Sequence, residues 1–321
     1  MQHKRKMGPG LLVLSAALGC GGGDGDGLPS SPPTTVELVV DEGFTNAGGI
    51  AVSSDGAEFY VLAFDPDGKQ GVFTVDVAGK GSSPLHVGDM LYPSDIAISC
   101  DDLTLFVSDM GAPAEDLGAS TEDAPQPAKP GGIYTIGTKG GELAQLASTG
   151  IGAAAGVVVS DDCSELFVSG FTTAGMPAVF ALPLAGGEAK VIAQGEPFIS
   201  PTTLHSDADD VIWMMDHGAR NDEGQGMLFA VTLDGEVTPV AGALGMGRIG
   251  GVSLVPGGIT AVIPVNDEGG RGSLVTANTK TGAKEVMETP DASFVTGTAA
   301  ARSAPVMGLA TESGAVFKLG F

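Results

Sequence analysis

The sequence predicts an all-β protein built from six copies of one four-stranded unit, and three observations predict it. First, one hairpin pattern recurs along the 321-residue chain: Asp95-Ile-Ala-Ile-Ser-Cys-Asp-Asp-Leu-Thr-Leu-Phe-Val-Ser-Asp109 is repeated upstream in Gly49–Asp65 and downstream in Gly156–Gly170. In each copy two short apolar runs flank a polar turn, as in a β-hairpin. Second, anchoring each copy on its first run gives Ile50, Ile96, Val157, Leu204, Val252 and Thr298, with gaps of 46, 61, 47, 48 and 46 residues. The long gap holds an insertion, Gly111–Pro130, rich in Ala, Pro and acids. Third, no segment past the N-terminus has the length and periodicity of a helix. The 51 Gly and 20 Pro beside 43% apolar residues signal many turns around an ample core.

The first twenty residues follow a different pattern. His3-Lys4-Arg5-Lys6 is a basic start, Leu11–Leu18 a short apolar run, and Gly19-Cys20 its end, the layout of a secretory signal. A run of that length does not span a bilayer, which takes about 20 residues. Ala17-Leu18-Gly19-Cys20 resembles the end of a bacterial lipoprotein signal, with Ala17 where such signals usually carry Leu. The resemblance implies that residues 1–20 are removed up to a lipidated Cys20, and that 21–34 form a flexible Gly/Asp/Pro-rich tether. It also implies an exported protein of the cell envelope, anchored by lipid and facing the periplasm or the exterior.

Thr35-Val-Glu-Leu-Val-Val40 is a strand without a local partner. Each hairpin that follows is continued by a third strand opened by a small residue, at Gly71, Gly132, Ala178, Gly226, Gly272 and Gly314. Fourth strands follow in five units, at Pro84–Val87, Glu142–Ala147, Glu188–Ala193, Glu236–Ala241 and Lys284–Glu288. The sixth unit stops at Phe321 with three strands, so Thr35–Val40 supplies its fourth and closes a ring. Four short strands per unit, at this period, predict a six-bladed β-propeller closed by its N-terminal strand and occupying residues 35–321. The turn-and-strand pattern of Ile50–Val61 resembles six-bladed propellers of the TolB-like, NHL-repeat and gluconolactonase-like groups.

Charge narrows the partners. Cleavage before Cys20 leaves 12 basic against 39 acidic residues, a net of −27, which repels nucleic acid and anionic lipid surfaces. It also leaves Cys100 and Cys163, both in the polar turn of consecutive hairpins, as a candidate disulfide in an oxidising compartment.

Candidate site residues gather where second strands end. Asp65, Asp109, Asp216 and Asp267 close four of the six, and the following loops add His217, Arg220 and Asn266, with Asp95 at the start of a first strand. These eight residues are expected to share the face of the channel mouth. Oxygen-rich clusters suit Ca²⁺, and Asp109, Asp216 and Asp267 are the candidate metal ligands. The plainer reading of Asp-Pro-Asp-Gly68 and Asn-Asp-Glu-Gly269 is turn chemistry, with Asp accepting backbone hydrogen bonds. Hydrolytic members of the gluconolactonase-like group hold a metal through a Glu, Asn and Asp set, and no Glu stands at the starts of the first strands here. His217 beside Asp216 has the chemistry of a general base, and a solvated loop histidine is its bland counterpart. Trp213, in Val211-Ile-Trp-Met-Met215, reads as core. The function that follows is a lipid-anchored binding module holding a protein or small-molecule ligand on its loop face, with a calcium-dependent lactonase-like hydrolase as the alternative.

Overall fold

The computed structural model describes residues 12–13, 28–112, 129–245, 251–255, 258–266 and 271–321, with the backbone alone for 12–13 and 288–293. The basic start, Cys20, Asp267 and most of the blade-two insertion lie outside the described residues.

Six antiparallel sheets form the blades of a propeller, and their strands are lettered A to D from the channel outward. Blade 1 is Ile50–Val52, Glu58–Phe64, Gln70–Asp76 and Gly81–Val87; blade 2 is Pro93–Ile98, Thr104–Ala112, Lys129–Gly137 and Ala144–Leu146. Blade 3 is Ile151–Val159, Glu165–Thr172, Pro177–Pro183 and Lys190–Gln194; blade 4 is Pro201–Ser206, Val211–Asn221, Gly224–Thr232 and Val237–Ala241. Blade 5 is Ser253–Leu254, Thr260–Asn266, Arg271–Asn278 and Lys284–Ser293. Blade 6 takes its A to C strands from Val295–Ala300, Val306–Thr311 and Val316–Gly320, and its D strand from Thr35–Val40. That last strand pairs antiparallel with the C-terminal one from Thr35↔Gly320 to Val40↔Val316, so the predicted closure is the observed one. The two-residue strand Leu12–Val13 lies along the outer edge of Thr35–Val36.

The apolar second strands are continuous because each is buried on both faces. In blade 1, Phe59, Val61 and Ala63 pack toward blade 6, while Tyr60 and Leu62 pack toward blade 2. The same division recurs around the ring, giving six cores that each lie between neighbouring blades. A strand alternating polar and apolar would leave one of its two neighbours without a core.

The hairpin turns explain the recurrent Ser-x-Asp. Ser53, Ser99 and Ser160 each donate to the aspartate two residues on, at 2.7, 2.6 and 2.7 Å, and each Oγ accepts from an amide where the next strand begins. Neighbouring turns are then linked at matching positions. Between blades 1 and 2, the Ser54 amide and hydroxyl donate to the Asp102 carboxylate; between blades 2 and 3, Cys100 and Cys163 are joined by a disulfide. Two successive blade junctions use at the same place a hydrogen bond and a covalent bond for the same purpose.

Candidate functional site

An antiparallel blade puts the starts of its A strand and the ends of its B strand at one end of the ring, with the D–A and B–C loops. The A–B turns occupy the other end. Seven of the eight residues singled out from the sequence are described; they belong to the first end, and the structure divides them.

Asp109 and Asp216 are fully buried and serve the same role in different blades. Asp109 accepts from the amides of Leu91, Tyr92 and Gly111 at 2.7, 3.0 and 2.7 Å. Asp216 accepts from those of Ile199, Ser200, Gly218 and Ala219 at 2.8–2.9 Å. Each carboxylate sits opposite a proline that opens strand A, at Pro93↔Asp109 and Pro201↔Asp216, and holds the loop that enters its own blade. Their oxygens are thus spent on backbone donors. Gly170, which takes the matching place in blade 3, shows why no aspartate stands there. Strand A begins earlier in that blade, and a Cβ on Gly170 would run into the Ala153 carbonyl.

Of the four acids that close second strands, the three that are described do not share one register. Asp109 and Asp216 lie two residues beyond Val107 and Met214, which pair with Ile96 and Leu204. Asp65 lies four beyond Val61, the partner of Ile50, and so falls in the loop. There it accepts from the amides of Asp67 and Lys69 at 2.9 and 2.8 Å, as turn chemistry requires. Among the described residues no three His, Cys, Asp or Glu side chains are grouped as a metal site.

Asp95 is different. It is 8% exposed, lines the channel, and ties blade 2 to blade 3: Oδ1 accepts from Ile96 N at 2.9 Å and Oδ2 from Val157 N at 3.2 Å. Burial pushes its carboxyl up to about 7, and the two amides oppose that rise. Asn266 is 7% exposed; its Nδ2 donates to Val295 O at 2.9 Å, while its Oδ1 has no hydrogen-bond partner. Burial holds His217 down at about 4 against the pull of Asp216, so its imidazole is neutral at physiological pH. Arg220 is exposed in the hairpin that extends strands B and C of blade 4.

What the sequence did not mark on this face is apolar. Leu91, Tyr92, Met176, Ile199 and Phe294 are between 38% and 55% exposed, and all five stand in D–A or B–C loops, from blades 2, 3, 4 and 6. Leu91, Tyr92 and Ile199 belong to the very peptides that Asp109 and Asp216 hold. The buried acids therefore fix the backbone beneath exposed side chains.

The channel itself encloses about 780 Å³ and opens toward the A–B turns, where Asp161, Asp207, Asp209, Lys280 and Arg302 line it. Toward the D–A end the inner strands crowd together: a Cβ on Gly156 would meet the Thr202 carbonyl, and one on Gly297 the Gly48 carbonyl. Among the described residues the channel mouth thus lies at the end opposite to Asp65, Asp109, Asp216, His217, Arg220 and Asn266, although Asp95 reaches its lining. That correction follows from glycine: only inner strands without side chains at their starts can approach so closely. Trp213 is core as expected, 7% exposed between blades 4 and 5, with Nε1 donating to Asp207 Oδ2 at 2.7 Å.

Ring closure, blade number and strand order together define the protein as a six-bladed β-propeller. Comparison with solved structures gives the same class. The nidogen/laminin complex contains a chain that superimposes with a TM-score of 0.62 at 14% identity, over 81% of this chain and 86% of that one. A putative TolB from Agrobacterium tumefaciens gives 0.56 at 15% identity, over 86% of this chain and 89% of that one. TolB from Acinetobacter baumannii gives 0.56 at 13% identity, over 76% and 55% respectively. An oligogalacturonate lyase from Vibrio parahaemolyticus gives 0.53 at 11% identity, over 89% and 93%. At these identities the likeness is one of fold. No protein-family model matches the sequence, and no curated protein matches it.

Proposed function

We propose that the protein is a lipid-anchored, extracytoplasmic binding module that presents its D–A/B–C face to a protein partner. The observation that carries this reading is the set Leu91, Tyr92, Met176, Ile199 and Phe294, five of the ten large apolar side chains exposed among the described residues, all in loops of one face of an acidic protein. Rigid loops bearing apolar and aromatic side chains lose little entropy when they bind. Asp65, Arg220 and Asn266 supply a polar rim to the same face.

The tether supports an orientation. The Thr34 amide donates to Gly320 O at 2.8 Å, at the A–B end of blade 6, and Leu28 lines the channel mouth on that same end. Residues 28–34 thus lie at the A–B face, which supports an orientation with the apolar face turned away from an anchoring membrane. The anchor in this reading is the acyl chain on Cys20; among the described residues no helix is long and apolar enough to cross a membrane.

Two measurements test it. Mass spectrometry of the membrane-associated protein should find an acylated Cys20, and Cys20→Ala should move the protein to the soluble fraction; an unmodified mature N-terminus removes the anchor. A photo-crosslinker placed at Tyr92 or Ile199 should trap one discrete adduct in cells, and one at Leu103 or Ile259, exposed at the A–B end, should not. Equal labelling from both ends defeats the docking face.

A further inference from the structure

The channel mouth holds a cation with almost nothing to bind. Arg302 sits in the A–B turn of blade 6, half-buried, and reaches across to blade 3 on the far side of the ring. There Nη2 donates to Val159 O at 3.4 Å and Nη1 lies 4.0 Å from Cys163 Sγ. No carboxylate among the described residues lies within ion-pair distance of it, in a chain carrying 39 acids against 15 basic residues. A guanidinium has five N–H donors, and a half-buried one is ordinarily matched by an acid.

The acids nearby are placed otherwise. Asp207 has both oxygens engaged, Oδ1 by the amides of Asp209 and Val211 and Oδ2 by Trp213 Nε1. Asp161 and Asp209 are exposed at the rim; Asp161, and Asp102 whose carboxylate is engaged by Ser54, attract the guanidinium only from beyond ion-pair distance. His205, on the channel wall, is held down at about 4 by burial and by Arg302 itself, against Asp207, so it carries no competing charge near neutral pH. Deeper in, Thr298 is 7% exposed, lines the same cavity, and its hydroxyl has no hydrogen-bond partner. Along the wall stand the aliphatic Ile50, Val52, Ile96, Val157, Leu204 and Val252, beside the polar Asp95, Ser206 and Ser253.

We infer that the channel is a binding site for a small organic acid with one carboxylate and an apolar body. The carboxylate takes the Arg302 N–H groups that are not given to Val159 O or Cys163 Sγ, and the body lies against the aliphatic side chains of the wall. A volume of about 780 Å³ lies within the range of small-molecule pockets, roughly 300–1,000 Å³. Asp161 and Asp209 at the rim act against polyanions. This site is at the opposite end of the ring from the docking face and does not depend on it.

Trp213 is the only tryptophan and lines the cavity, so its fluorescence reports occupancy. Purified protein is titrated with cyclohexanecarboxylate, with cyclohexanecarboxamide as the neutral analogue of the same shape, and with cyclohexylamine. The acid should give a saturable change, the amide and amine much weaker ones. Arg302→Gln should weaken binding of the acid by about 10- to 100-fold, the value of a charge-assisted pair, and Arg302→Lys should restore part of it. Equal binding of acid and amide by the unsubstituted protein overturns the inference whether or not Arg302→Gln folds. So does a preference for the amine, an absent response, or a folded Arg302→Gln protein that binds the acid unchanged.

Discussion

Replacing Asp95 by Asn should flatten part of the dependence of stability on pH. A carboxyl held at about 7 in the folded protein and about 3.9 in the unfolded chain binds its proton more tightly when folded. Its contribution is therefore complete below pH ~4 and is lost as pH rises through ~7. Three units at about 1.36 kcal/mol each set the loss at roughly 4 kcal/mol, and water in the channel lessens it to about 2–4 kcal/mol. Asn keeps one oxygen for either Ile96 N or Val157 N and gives up the other bond, at about 1 kcal/mol. His205 and His217, both held at about 4, act with the opposite sign: their contribution is present above ~6.5 and lost as pH falls through ~4. They are common to both proteins and cancel in the difference. Urea unfolding of the two proteins at about pH 3.5, 6.0 and 7.5 should show the variant less stable by about 1 kcal/mol at the lowest pH and more stable by about 1–3 kcal/mol at the highest. A difference constant across that range within about 0.5 kcal/mol would mean an ordinary Asp95 carboxyl and would refute the reasoning.

Three further outcomes follow from the same contacts. Asp216→Ala leaves the amides of Ile199, Ser200, Gly218 and Ala219 without their acceptor and should cost about 3 kcal/mol in urea unfolding, with Ile199 the first amide to lose hydrogen-exchange protection. Cys100→Ser with Cys163→Ser releases a link between positions 63 apart in sequence; chain entropy gives about 4 kcal/mol as the ceiling, and a variant as stable as the oxidised protein contradicts the link's role. Deleting residues 1–40 removes the closing strand and bares the edge of Val316–Gly320, so the product should aggregate or unfold without a cooperative transition, seen by light scattering and circular dichroism.

The fold was legible because repetition multiplies a weak signal. One apolar run beside Ser99–Asp102 says little, but the same run at Ile50, Ile96 and Val157, with a strand missing at one end and spare at the other, leaves one closed solution. The site was less legible because the same repetition hides differences of register. Asp65 and Asp109 both close second strands in the sequence, yet only pairing with strand A shows that one is a turn residue and the other the buried support of a loop. Leu91, Tyr92 and Ile199 gave no signal as exposed residues, since exposure is decided by how the D–A loop folds over its aspartate. Arg302 did leave a trace. With the hairpin turns superimposed, it stands where blade 1 has Ser54, blade 2 Cys100 and blade 3 Asp161, and each of the first two reaches a neighbouring turn. A long cation at a position used elsewhere for short side chains that link adjacent blades can reach farther, and here it crosses the channel to Val159 on the opposite blade. The departure from the repeat, more than the repeat, is where this chain's own chemistry lies.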